Sequence, residues 1–524
     1  MRRRCERPGA RAARQQQPSV PFVIPLAQST RIYRRPPSTP RARPMFRRPA
    51  RSATTGPPML SPKGASLPGQ MHGADAGPVM YHAREVPMLR SSTRLLACLL
   101  MLFALAACQP PVRLMPAPAV FLNGEHNLFG ANANLDRSSD IQVFYATNRV
   151  PFGPSGARAY TVFPGDELHL GVANLSIGGG GRSWDWLYEQ STNASAERRP
   201  QLLVNSMDEK ASVAPGASVD EPGEEALAFL RLVDEALARS ADPNLTIYVH
   251  GANTSVGRAT AQAAQYRHFT GRNSVVLSFI WPSAENFMRF SHDVAKAGGT
   301  APAFAQLVRM LSQHTRARHI NVIAYSSGAM VASPGLAILG TPTAGYDPAS
   351  ARLGEVYFPA PDADFRQFVS ELQVYHGYPQ RVTVTVNMRD SVLVLSRLHQ
   401  RGSRAGRPDP TELSPEDAQW MIDASNRLDF DLISASADDL PGMDRRSHIF
   451  WYDHPWVSSD VLLKMLFHMA PEERGLQRNQ NEADLQFWTF PENYEARLDE
   501  VMDQLVQTAS APPAAGTEAK GTTQ

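Results

Sequence analysis

The apolar positions change period along the chain, and the changes mark out its elements. Asp140–Ala146 alternates in the manner of a half-buried strand, and Leu168–Ile177 reads as a second strand closed by four glycines, Gly178 to Gly181. From Glu224 to Ala238 the period becomes helical, with Leu227, Phe229, Leu230, Leu232 and Val233 on one side. Short apolar runs then alternate with helical stretches. The predicted order is strand Leu245–Val249, helix Arg258–Phe269, strand Ser274–Ile280, a helical region over 287–314 and strand Ile320–Ala324. Strand Glu355–Phe358, helix Phe365–Leu372, strand Val382–Val386 and helix Val392–His399 follow. Strands buried on both faces and separated by amphipathic helices imply right-handed βαβ units. The predicted fold class is therefore α/β, a mostly parallel central sheet with helices on both faces. Residues 190–222 are polar and read as an insertion without regular structure, and helices are predicted again over 457–470 and 484–507.

The two ends follow neither period. Residues 1–87 are rich in Arg and Pro, and residues 1–107 hold 18 Lys and Arg against three acids, a net of +15 in a chain whose total is +2. The remainder is therefore at −13, so the whole-chain pI of about 8.4 describes neither part. The basic residues are spread thinly among prolines, without helical clustering or interleaved aromatics, which argues against a nucleic-acid partner. Residues 1–87 are expected to be disordered or not translated. From Met88 the chain reads as a secretory signal peptide over 88–107: Arg90 and Arg94, an apolar run Leu95–Leu105 too short for a comfortable membrane span, then Ala106-Ala107 before Cys108. Of Cys5, Cys98 and Cys108 only the last would survive processing, leaving no internal disulfide and no thiolate metal site. Residues 108–138 read as a Pro- and Asn-rich tether, 139–470 as the globular domain, 471–508 as a helical extension and 509–524 as a disordered tail.

Ligand sites of open parallel sheets lie at the carboxyl ends of the strands, and the polar clusters gather there. His319–Met330, HINVIAYSSGAM, reads as strand, sharp turn and helix start, a small-x-Ser-x-Gly pattern with Ala324 in the first small position. Ser326 at its apex is the candidate nucleophile, with the backbone N–H of Ser327 as one oxyanion donor. Strand Leu245–Val249 runs into His250-Gly251-Ala252-Asn253, where Ala252 or Asn253 supplies the second donor and His250 braces the loop. Asp390, after Val382–Val386, is the candidate acid. Asp362 and Asp364 follow the previous strand and are its rivals, Asp362 otherwise serving to cap the helix near Phe365. His448, in a loop entering an aromatic run, is the candidate base, with His454 beside Pro455 as the alternative. The order oxyanion loop, serine, acid, histidine is that of a Ser-His-Asp hydrolase. Gly178 to Gly181 lack the Gly-Lys-Ser/Thr of a phosphate loop. No metal and no organic cofactor is implied. Residues 282–300, with Gly298-Gly299, suggest part of a lid.

Taken together, the segments Phe144–Arg149 (FYATNR), His250–Asn253 (HGAN), Ser278–Ser283 (SFIWPS), Ile323–Gly328 (IAYSSG), Ala360–Asp364 (APDAD) and Arg389-Asp390 through Leu395–Arg397 resemble the succession in a bacterial family of uncharacterised α/β-hydrolases, domain of unknown function 900. The likeness runs from about Ile141 to about His468, and it implies the α/β-hydrolase fold with triad positions on Ser326, Asp390 and His448. The family usually reads His-Ser-Met-Gly at the elbow, where this chain has Tyr325-Ser326-Ser327-Gly328. Leu105-Ala106-Ala107-Cys108 resembles the bacterial lipobox, which implies lipidation of Cys108, and the non-acidic Gln109 goes with outer-membrane sorting. The expected function is a lipid-anchored serine hydrolase of the cell envelope, facing the periplasm, acting on small-molecule or lipid esters. The alternative is a non-catalytic envelope lipoprotein that uses the fold as a binding or scaffolding module.

Overall fold

The computed structural model describes residues 111–122, 128–130, 132–193, 198–285, 290–427 and 430–510. The arm 1–87, the signal segment 88–107, Cys108 and residues 511–524 lie outside them. Among the described residues eleven strands form one sheet: β1 (Asp140–Phe152), β2 (Ala159–Ile177), β3 (Leu202–Val213), β4 (Leu245–Val249), β5 (Val275–Ile280), β6 (Ile320–Ala324), β7 (Leu353–Pro359), β8 (Arg381–Val386), β9 (Phe430–Ser434), β10 (Gln477–Gln480) and β11 (Gln486–Thr489). Their order is β10-β11-β9-β8-β7-β6-β4-β5-β1-β2-β3. The middle of the sheet, from β1 through β9 to β11, is parallel, and the antiparallel pairings β1/β2, β2/β3 and β10/β11 close its two edges. This is the α/β-hydrolase arrangement read from the sequence.

Flanking it are α1 (Trp184–Asn193), α2 (Glu224–Arg239), α3 (Val256–Phe269), α4 (Phe290–His314), α5 (Ala329–Gly340), α6 (Phe365–Tyr375), α7 (Ser391–Gln400), α8 (Pro415–Asn426), α9 (Phe450–Asp453), α10 (Pro455–Phe467) and α11 (Tyr494–Ser510). Every residue of β4, β5, β6 and β7 is buried, because helices cover both faces. Alternate residues feed the two cores: along β6, Ile320, Val322 and Ala324 join one with α4 and α5, and Ile323 joins the other with α3 and α10.

The described part of the expected tether is docked on the domain. Leu114, Met115, Val120, Phe121 and Phe129 are buried, and the Phe121 ring lies 5.2 Å from that of Phe129 and 5.4 Å from that of Phe269. The Leu114 N–H donates to Pro200 O and the Leu202 N–H to Val112 O, tying the segment beside the start of β3. A tether would leave these large apolar side chains in water, at roughly 1.5–3 kcal/mol each. Residues 190–222 contain β3 rather than irregular structure, since the edge of β2 offers a full antiparallel partner. The helix predicted over 484–507 is split: Gln486–Thr489 is β11, which joins the sheet beside β9, and helix begins only at Tyr494. In the region suggested as a lid, Pro282, Ser283 and Ala284 are buried and Gly298-Gly299 lie inside α4, while 286–289 fall outside the described residues.

Candidate active site

Val249 of β4 and Ala324 of β6 are register partners, so both strands end level and their following loops meet. The Tyr325 N–H donates to Val249 O at 3.0 Å, and the chain then turns at Ser326, whose φ of 53° lies in the left-handed region. For a serine that conformation costs on the order of 1–3 kcal/mol, held by what surrounds it. The surroundings leave little room: a Cβ on Gly328 would sit 2.6 Å from Val249 O and 2.8 Å from His250 O. A Cβ on Gly251 would sit 3.0 Å from Ser326 Cβ and 3.5 Å from its Oγ. Gly328 is thus required by close approach and Gly251 is packed tightly against Ser326, and the turn delivers Ser326 to the carboxyl edge of the sheet, where the 3-10 turn Ser326–Gly328 leads into α5.

Asp390 ends the loop after β8 and is the N-cap of α7. Its Oδ1 accepts from the N–H groups of Val392 (2.9 Å) and Leu393 (3.1 Å), which leaves Oδ2 facing His448 Nδ1 at 2.6 Å. With Nδ1–H donated to the carboxylate, His448 Nε2 is an acceptor, and it lies 2.7 Å from Ser326 Oγ. The aspartate is fully buried, and Ser326 and His448 are only 6% and 9% exposed. The His448 loop is clamped from the same elements: Asn387 Nδ2 donates to Ser447 O at 2.8 Å, and the N–H and Oγ of Ser391 both donate to Arg446 O. The Tyr325 ring packs 5.4 Å from the His448 imidazole, with Trp451 and Tyr452 behind it. A cavity of 440 Å³ adjoins this loop, bordered by Met443, Arg446, Ser447 and Ile449. The structure therefore brings Ser326, His448 and Asp390 into one hydrogen-bonded line.

The rivals have other partners. Asp362 receives Arg404 Nε at 2.7 Å, Ser396 Oγ at 2.6 Å and Ser327 Oγ at 3.1 Å. It is a buried ion pair supporting the elbow, and its own N–H donates to Ser326 O at 2.9 Å. The cap of α6 is Asp364, which accepts from the Gln367 N–H, and not Asp362. His454 caps α10: its Nδ1 accepts the Trp456 N–H and its Nε2 donates to Pro441 O at 3.0 Å. Burial depresses its pKa, which keeps it neutral in that role.

The two oxyanion donors left open after β4 lie beside Asp293, on the first turn of α4, whose Oδ1 accepts from the Ala284 N–H and whose carboxylate is influenced by the Asn253 backbone N–H; Asn253 itself has φ 51°. Burial pushes the Asp293 carboxyl up to about 6 against the pull of those donors and of Lys296. Ala252 and Asn253 both stay open as the second donor beside Ser327, on the loop whose Gly251 borders Ser326 Oγ. His250 is a brace: its ring stacks on Trp281 at 5.3 Å and its Nδ1 donates to Gly251 O. Burial, with Arg149 nearby, drives its pKa down to about 3.

Two supporting groups escaped the sequence reading. Arg149, buried in β1, donates to Trp281 O (3.1 Å), Thr254 O (2.9 Å) and Glu285 Oε1 (3.2 Å), stapling the loop after β4 to the loop after β5. Sequence placed it only at the end of a strand, although a charge in the FYATNR run was a signal. Asp293 gave no signal at all.

Residues 226–440 match the family model described as alpha/beta hydrolase of unknown function (DUF900). That stretch carries the strands from β4 to β9 together with Ser326 and Asp390, and it stops short of His448. No curated protein matches the chain.

Proposed function

We propose that the protein is a serine hydrolase that cleaves carboxylic esters through an acyl-enzyme. The observation that carries this reading is the line Asp390–His448–Ser326, with contacts of 2.6 and 2.7 Å. Ser326 Oγ bonds to the acyl carbon as its proton passes to His448 Nε2. The resulting oxyanion is held by the N–H groups of Ser327 and of Ala252 or Asn253, each worth about 3 kcal/mol in the transition state. His448 returns the proton to the departing alkoxide, so the alcohol leaves and the acyl group stays on Ser326. Water, deprotonated by His448, then attacks the acyl carbon, the Ser326 ester bond breaks and the acid is released. Asp390 keeps the proton on Nδ1 and offsets the imidazolium charge. Esters are favoured over amides because an alkoxide departs more readily than an amine anion. The resemblance of Leu105-Ala106-Ala107-Cys108 to a lipobox supports a place in the cell envelope on a lipid anchor; labelled fatty acid incorporated into wild type and lost in Cys108→Ser tests that part separately.

The test of the chemistry is pre-steady-state hydrolysis of p-nitrophenyl esters of graded chain length. A burst of nitrophenolate near one per chain, with the acyl mass recovered on the peptide holding Ser326, is the expected result. Absence of both turnover and adduct across the series leaves the scaffolding reading in its place.

A further inference from the structure

β1 is separated from β6, which delivers Ser326, by β4 and β5. It nevertheless reaches the site. Thr147 lies opposite Ile280, the last residue of β5, so β1 runs on past the end of that strand and carries Arg149 alongside the loops that follow β4 and β5. None of the Arg149 side chain is exposed. Its Nε donates to Trp281 O at 3.1 Å, and its Nη2 to Thr254 O at 2.9 Å and Ser283 O at 3.4 Å. One planar cation thus pins three main-chain carbonyls on two loops, a geometry that the single ammonium of a lysine does not span.

The loop 250–254 is held at both ends by this arrangement. At its start Trp281 Nε1 donates to His250 O at 2.6 Å, and Trp281 is itself held through its carbonyl by Arg149. At its end Thr254 O receives both Arg149 and Ser283 Oγ, the latter at 3.1 Å, and the Thr254 N–H donates back to Ser283 Oγ at 3.3 Å. Thr254 Oγ1 closes the turn on Ala252 O at 3.0 Å. Between the two clamps stand the N–H groups of Ala252 and Asn253, from which the second oxyanion donor comes.

We propose that Arg149 is a positioning residue of the active site, which acts through Trp281 and Thr254 to fix the second oxyanion donor in place. The proposal rests on the hydrolase reading above. Such a donor stabilises the transition state only when it is fixed in advance at hydrogen-bond distance from the developing charge, so slack in the loop costs rate and not affinity. The competing role is an ordinary ion pair with Glu285. That carboxylate takes only the Nη1 contact, at 3.2 Å, and is 39% exposed, whereas the rest of the guanidinium is spent on loop carbonyls. The stretch 226–440 that matches the family model contains both loops and lacks the arginine that holds them. β1 is thereby part of the catalytic unit.

The test is the burst phase of the full chain on p-nitrophenyl butyrate, beside inhibition by butylboronic acid, whose tetrahedral adduct on Ser326 puts an oxygen where the oxyanion forms. In Arg149→Lys and Arg149→Met the burst rate is expected to fall about a hundredfold, as for the loss of one donor, with the half-saturating ester concentration within about threefold of wild type. Boronic acid affinity is expected to fall in parallel. Arg381→Lys disturbs a partly buried ion pair with Asp431 at the start of β8, and is expected to lower the thermal melt with no change in burst rate. An Arg149→Lys protein that bursts within about threefold of wild type overturns the proposal. So does a loss confined to burst amplitude, because an unfolded fraction removes sites without slowing those that remain. Should neither Arg149 variant fold, Ser283→Ala decides by loosening the Thr254 clamp alone: a burst about tenfold slower is expected, and an unchanged rate overturns the proposal. A wild type with neither burst nor adduct on Ser326 refutes the hydrolase reading, and this inference with it.

Discussion

Asp390→Asn separates the two jobs that one carboxylate performs. Asn Oδ1 can still accept from the Val392 and Leu393 N–H groups, so the cap of α7 survives. The other arm changes chemistry: an NH2 replaces the oxygen 2.6 Å from His448 Nδ1, and two donors cannot face each other. The imidazole then carries its proton on Nε2, directed at the Ser326 Oγ that lies 2.7 Å away, and no longer accepts from it. A wrong tautomer of this kind costs about 10⁴-fold in acylation, or about 5.5 kcal/mol of barrier. Stability should move far less, within about 1 kcal/mol, because only the charge at the helix N-terminus is lost. Asp390→Ala loses the cap as well and should melt lower by a further contribution of about 1 kcal/mol. The assay is the rate of the nitrophenolate burst beside a thermal melt for each variant. A folded Asp390→Asn protein that acylates within tenfold of wild type would refute the argument.

The remaining predictions concern what holds the site and the fold. Gly328→Ala drives a carbon into Val249 O and His250 O and should cost about 3 kcal/mol in urea unfolding, as overpacking against backbone does; an unchanged midpoint contradicts the elbow geometry. Phe121→Ala should cost about 3 kcal/mol if residues 111–122 are docked, whereas a free tether predicts no change. Glu355 is buried 2.6 Å from Lys464 Nζ. Burial pushes its carboxyl up, yet Lys464 and His468 more than offset this and hold it at about 2, below its ordinary 4.5. Its stabilisation, about 3 kcal/mol, should be present above pH 4.5 and lost as pH falls toward 2; Lys464→Met, which leaves His468 beside the carboxylate, should reduce that acid-side dependence and weaken the fold by about 3–5 kcal/mol at pH 7, read by urea titration at each pH.

How much of this was legible in the sequence follows from where the information lies. β4 to β8 are short runs buried on both faces, so their apolar continuity was visible without partners. Ser326, Asp390 and His448 were findable because each sits just past a strand or in a late loop in a fixed chain order. β3 was hidden, since as an edge strand it buries only part of LLVNSMDEKASV and needs β2 to define it. β9 was hidden because Asp431 interrupts a five-residue run, and only its partners in the fold, the half-buried Arg381 and the buried Thr383 and Lys464, explain an acid there. Composition alone made a tether of a segment whose phenylalanines find a core.

The central claim is that Ser326 is a nucleophile activated by His448, and fluorophosphonate labelling of the full chain tests it most directly. Wild type should form a single adduct whose mass maps to the peptide holding Ser326. The adduct should be absent in Ser326→Ala and slowed by at least a thousandfold in His448→Ala, as loss of the general base from an otherwise folded site requires. Labelling that persists in Ser326→Ala, or a wild type that never labels while folded, contradicts the account.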